Sequence, residues 1–235
     1  MMNSTPLIRV TNLTKMYQHN AALDNLSLTI KRGKIVGLIG KNGSGKTTLL
    51  KILAGLLADW NGSVTINGIA PSPETKAHVA FLPSTQFLDQ KLTIPEAIAL
   101  FERFFPDFDP EKARTLIEFF QLPHDRTLKE MSKGMSEKVQ ISLVMARKAD
   151  VYLLDEPISG VDPETRTIIL NGILRDFSDD SLLLISTHLV ADVEAILDDV
   201  VILDNGRLIC QANVDDLRTE YGMSLDQICR KGILK

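Results

Sequence analysis

Short apolar runs alternate along this chain with stretches whose apolar residues recur three and four positions apart, the pattern of an α/β domain. LIRVTNL (7–13), NLSLTI (25–30), KIVGLIG (34–40) and SVTING (63–68) predict a strand-rich opening with Gly-centred turns. After VAFLP (79–83) the period changes, and residues 95–147 read as mostly helical; six of the nine Phe residues crowd between Phe101 and Phe120. VYLLDE (151–156), SLLLIST (181–187) and DDVVILDNG (198–206) then restore nearly continuous apolar runs, as strands of a parallel sheet buried on both faces require. The middle stretch thus reads as an all-helical insertion in a mixed domain. The tail over about 214–235 reads as two short helices with a basic end.

Composition narrows the class. With 235 residues, the chain can bury one large core without disulfide or metal staples. At 44% hydrophobic and 24% charged residues it has the make-up of a soluble globular domain. Cys210 and Cys229 show no paired or metal-ligand spacing, which suits a reducing compartment and a packing role. A net charge of −4 with acids and bases interspersed leaves no basic stripe, so nucleic acid is a disfavoured partner. No run approaches the roughly 18–20 apolar residues of a membrane span, and MMNSTPLIRV lacks the apolar centre of a signal peptide. Action at a membrane would need a partner to cross it.

The sharpest chemical signal is Gly40-Lys41-Asn42-Gly43-Ser44-Gly45-Lys46-Thr47, followed by Thr48. It fits G-x-x-x-x-G-K-[ST] in the required setting, with the strand KIVGLI before it and the helical TTLLKILAGLL (47–57) after it. The glycines let backbone N–H groups converge on phosphate oxygens, and the helix N-terminus adds partial positive charge. Lys46 would reach the β and γ phosphates of a nucleotide, and the Thr47 hydroxyl would hold Mg²⁺. Such a loop needs an acidic partner for the metal. Asp155 supplies it at the end of a buried strand, where open α/β sheets place ligands. Glu156, on the other side of the pleat, would polarise an attacking water, a contribution of roughly 10²- to 10⁴-fold in rate.

With these motifs in hand, the chain resembles the ATP-binding subunits of ABC transporters over nearly its whole length. The resemblance rests on an ordered set: Tyr17, GKNGSGKT, FLPSTQ (81–86), MSKGM (131–135), VYLLDE, SGVD (159–162) and STH (186–188). It implies an α/β P-loop NTPase fold with a RecA-like parallel-sheet core, an N-terminal antiparallel β subdomain and an inserted α-helical subdomain. On that basis one domain fills 1–235, with the helical subdomain at about 95–147. The resemblance also implies that Tyr17 stacks on adenine, that Asp162 lies in a D-loop joining two sites across a dimer, and that His188 contacts the γ-phosphate and orients the water. Asp162 before Pro163 can also cap the next helix. Two ATP molecules would bind between two such chains or homologous ATPase subunits. The partner would be an integral membrane permease, and the location cytoplasmic, peripheral on the cytoplasmic face of the membrane.

Two departures from the family pattern stand out. The Q-loop glutamine that meets Mg²⁺ has two candidate positions: spacing to the following LTI selects Ser84, and residue type selects Gln86. The family signature LSGGQ becomes MSKGM, which keeps a hydroxyl at Ser132 and an unobstructed backbone N–H at Gly134, the two positions most useful for binding phosphate of the partner chain's ATP. Lys133 adds a cation there, and Met135 removes the usual amide. The S-K-G-M form, with FFPDFDPEKARTLIEFFQL (104–122) before it, resembles ATPases serving small bacterial exporters with type-two permeases. The Phe cluster would either line a groove for a permease helix or form the core of the helical lobe. A soluble ABC-type switch acting on nucleic acid or ribosomes is the rival reading, and a GTPase is weaker because no N-K-x-D motif occurs.

Overall fold

A computed structural model describes residues 6–175 and 177–234. The apolar runs form two sheets. Strands β1 (Ile8–Tyr17), β2 (Asn20–Ile30) and β4 (Asn61–Ile66) make an antiparallel sheet in the order β2-β1-β4. Between them in sequence come β3 (Lys34–Ile39) and helix α1 (Lys46–Leu53). The second sheet also takes β5 (Val79–Leu82), β6 (Val151–Asp155), β7 (Leu182–Thr187), β8 (Asp199–Asp204) and β9 (Arg207–Asn213), in the order β5-β6-β7-β3-β8-β9. All neighbours in it are parallel except β8 and β9, which form an antiparallel hairpin.

Strand alternation splits the core into two layers. Val151 and Leu153 of β6, Leu182 and Leu184 of β7, and Val36 and Leu38 of β3 pack with α1 and the antiparallel sheet. Tyr152, Leu154, Leu183 and Ile185 point the other way, into the larger cluster formed with the remaining helices. Both faces of the central strands are therefore buried, as their unbroken apolar sequence predicts.

Helix α2 (Pro73–Lys76) is a single turn before β5. The predicted helical stretch resolves into α3 (Ile94–Phe104), α4 (Pro110–Phe119) and α5 (Lys133–Met145). Each starts where the sequence offers an acceptor for free helix N–H groups. Glu96 bonds back to Thr93, Asp109 accepts from Glu111 and Lys112, and Ser132 accepts from Met135 at 3.3 Å. The Phe rings chiefly build the interior of this lobe. Phe101 stacks at a tilt on Phe105 and Phe108, with centroids 5.1 and 5.5 Å apart, and Phe120 is buried beside Phe119. Phe104 departs from that pattern at 65% exposed. Arg147 straps the lobe to the sheet: it pairs with Asp107, donates to the Val79 carbonyl at 2.7 Å and lies over the Phe105 ring. Helix α6 (Pro163–Arg175) and the short α7 (Val190–Val193) complete this layer with α8 (Val214–Tyr221) and α9 (Leu225–Lys231) in the tail.

Candidate active site

Strand order assembles the site. Because β6, β7 and β3 are adjacent and parallel, the segments leaving their carboxyl ends emerge side by side. Those segments carry Asp155 and Glu156, His188, and the loop from Gly40 to Gly45. Neighbouring β5 delivers Ser84 to the same edge.

The loop folds as its glycines require. Gly45 precedes α1 at φ +104, where a Cβ would sit 2.5 Å from the Ala22 carbonyl. At Gly40 a Cβ would crowd the Leu203 carbonyl at the same distance. The Gly206 N–H donates to the Ser44 carbonyl at 3.1 Å, so the β8–β9 turn braces the loop from behind. Lys46 is only 4% exposed; its ammonium donates to the Gly40 carbonyl at 2.7 Å and lies 3.5 Å from Glu156 Oε1. The buried Ser44 hydroxyl has no hydrogen-bond partner among the described residues. Asn42, Gly43, Ser44, Gly45, Lys46, Thr47 and Thr48 line an open cavity of about 410 Å³ that is shared with Tyr17, Ser84 and Glu156.

Asp155 is 1% exposed at the end of β6 and is held from two sides. Thr47 Oγ1 donates to it at 2.9 Å and Ser186 Oγ at 2.6 Å. Glu156 adopts φ +53, and its N–H is tied to the Ser186 carbonyl and hydroxyl, both at 3.1 Å. Its carboxylate Oε2 lies 2.9 Å from Nδ1 of His188. One carboxylate thus faces both the loop lysine and the histidine.

Not every predicted residue joins this cavity. Ser132 and Gly134 lie on α5, outside it. Asp162 caps α6, accepting from Thr165 N–H at 2.9 Å, and this bond holds its carboxyl below the usual range. The two Q-loop alternatives stay close: Ser84 lines the loop cavity, Ser84 and Gln86 together line a second cavity beside Asp155 and Glu156, and the Gln86 amide donates to Ser136 Oγ at 2.6 Å. Two contributors had no role assigned from sequence: Ser186, the first residue of the STH motif, which holds Asp155 and Glu156, and Gly206, which lies far from the loop in sequence.

The donors suit nucleotide and metal. Mg²⁺ takes hard oxygen ligands, usually one or two from protein with the rest from phosphate and water. Thr47 and Asp155 place a hydroxyl and a buried carboxylate together, and among the described residues no larger cluster of His, Cys, Asp or Glu competes for a metal. The glycine cradle and the unpartnered Ser44 hydroxyl fit a phosphate chain.

Fold and site together define a P-loop nucleoside-triphosphatase. Residues 23–159 match the ABC transporter family, and the chain belongs to it. It is 29% identical over 218 residues to the ABC transporter ATP-binding protein YtrB of Bacillus subtilis (strain 168), covering 92% of this chain and 75% of that protein. It is 31% identical over 236 residues to the Nod factor export ATP-binding protein I of Ralstonia nicotianae, covering 97% of this chain and 74% of the relative. A solved ATP-binding subunit of an ABC transporter superposes with TM-score 0.81 at 30% identity, covering 96% of this chain and 98% of the other. The chain is accordingly an ATPase subunit of the ABC type. Among the described residues, no helix is long and apolar enough to cross a membrane.

Proposed function

We propose that this chain powers an exporter by closing over ATP with a second copy of itself or a homologous ATPase subunit, and opening again after hydrolysis. The observation that carries this reading is Glu156, a largely buried carboxylate set between Lys46 and His188 at the wall of the loop cavity.

The residues divide the work by position. Tyr17 offers an exposed ring face to adenine, and stacking of this kind is worth roughly 1–3 kcal/mol. Backbone N–H groups from Asn42 to Thr48 and the Lys46 ammonium hold the phosphates. Thr47 and Asp155 hold Mg²⁺, with Ser84 or Gln86 as a further ligand; the ion neutralises phosphate charge when bound. Glu156 accepts the proton of a water whose oxygen attacks the γ-phosphorus, as the bond to the β–γ bridging oxygen breaks. His188 orients that carboxylate and the water. Ser132 and Gly134 of one chain meet the γ-phosphate held by the loop of the other, and Asp162 lies along the same junction.

Export is supported by the name of the relative at 31% identity. Phe87, Leu100 and Phe104 are exposed on the helical lobe and suit the apolar face of a permease helix. Such an assembly would lie on the cytoplasmic face of the membrane. The test is sedimentation of Glu156→Gln with MgATP, which should yield a nucleotide-dependent dimer. An integral membrane protein should also co-purify from detergent-solubilised cells. A Glu156→Gln chain that stays monomeric in ATP, or co-purification of RNA and ribosomal protein, would sink the reading.

A further inference from the structure

Lys133 occupies the first turn of α5, where a cation faces the positive end of the helix dipole. Its charge does not serve the helix, and its contacts lie elsewhere. The ammonium donates to the Ser159 carbonyl at 3.3 Å and stands 3.7 Å from Glu137 Oε1. It rests on Gly160, at φ +78, and a Cβ there would overlap Nζ. The Ser159 N–H in turn donates to the Glu156 carbonyl at 3.1 Å. A single residue, Ser159, therefore joins Lys133 through its carbonyl to the turn that carries Glu156 through its N–H.

That turn needs holding. A non-glycine residue at positive φ persists only where its surroundings over-determine it. Glu156 is gripped on its N–H side by Ser186 and on its carbonyl side by Ser159. We infer that Lys133 is a positioning residue for Glu156: seated on Gly160, it clamps the Ser159 carbonyl, so that α5 and the acid at the end of β6 shift as one unit. The inference rests on Glu156 acting on water as proposed above. It assigns Lys133 a partner within its own chain, in contrast to a direct contact with the phosphate of the partner's ATP.

Steady-state kinetics of Lys133→Met, which keeps the apolar stem, should show kcat lowered roughly three- to tenfold, the worth of one solvent-accessible hydrogen bond. KM for ATP should move by less than about twofold, because the clamp acts on Glu156 and not on nucleotide. Lys133→Arg should restore most of kcat. Gly160→Ala should also lower kcat by displacing the ammonium, and adding Lys133→Met to it should cost little more, since both break one clamp. An unchanged kcat in Lys133→Met, a failure of arginine to rescue, or full additivity with Gly160→Ala overturns the inference. The second readout is the ATP-dependent dimer of Glu156→Gln, which Lys133→Met should leave intact. Weakening of that dimer would make Lys133 a phosphate ligand of the partner site and overturn the clamp. Wild-type turnover in Glu156→Gln alone would instead remove the role of Glu156, and with it the reading on which the clamp depends.

Discussion

The two halves of the proposed ATP site are built to opposite rules. Around the phosphate loop, Thr47 and Ser186 both donate to Asp155, and Lys46 and Glu156 face each other under cover. Around Ser132 the surface is open, its hydroxyl serving its own helix and the Lys133 side chain 65% exposed, whereas Gly134 is half-buried facing Thr165. The interior half has its charges fixed before any ligand arrives, the condition for strong electrostatic stabilisation of a reaction. On the proposed function, the outer half becomes a binding surface when a second chain covers it, so that one chain recognises nucleotide and two turn it over.

The sharpest way to break the interior half is Glu156→Gln. Phosphate-release assays should show turnover reduced roughly 10²- to 10⁴-fold with nucleotide binding retained. Next comes Gly45→Ala, which forces a side chain into positive φ against the Ala22 carbonyl. It should cost about 1–3 kcal/mol, seen as a fall in Tm of roughly 3–10 °C, and should weaken nucleotide binding in titrations. In the outer half, Ser132→Ala removes a helix cap worth about 0.5–2 kcal/mol. Its diagnostic effect should be a weaker ATP-driven dimer in sedimentation with nucleotide binding by the single chain unaltered; an unchanged dimer would reduce MSKGM to a cap.

The smallest effect concerns Glu137, whose carboxyl is pushed above the usual range by burial, an effect partly countered by Lys133. The folded chain therefore holds this proton more tightly than the unfolded chain does, and ionisation opposes folding at pH above the raised value. Glu137→Gln should be the more stable form near neutrality, and the difference should close as pH falls. Thermal melts across that range measure it.

Legibility followed locality. The loop, its flanking strand and helix, and the acids after VYLL were readable because each depends on a few consecutive residues. The apolar strands were readable because burial on both faces leaves no room for alternation. Strand β9 was not: half-exposed at a sheet edge, with pattern RLICQAN, it carries no unbroken apolar run and depends on its hairpin with β8. The Phe-rich stretch was legible as a lobe, but sequence left open whether its rings faced inward. Most do, and Phe104 remains outside.

By itself the sequence determined which groups could bind phosphate and metal, because glycine freedom, helix N-termini and carboxylates at strand ends act over a few residues. Tertiary structure alone decided their meetings. It set β7 between β6 and β3, brought His188 to Glu156, tied Gln86 to Ser136, and laid Lys133 on Gly160. These contacts join residues from 27 positions apart, for Lys133 and Gly160, to 148, for the paired Ile39 and Thr187, where the order of strands and the packing of helices, and not the backbone preferences of neighbours, choose what touches.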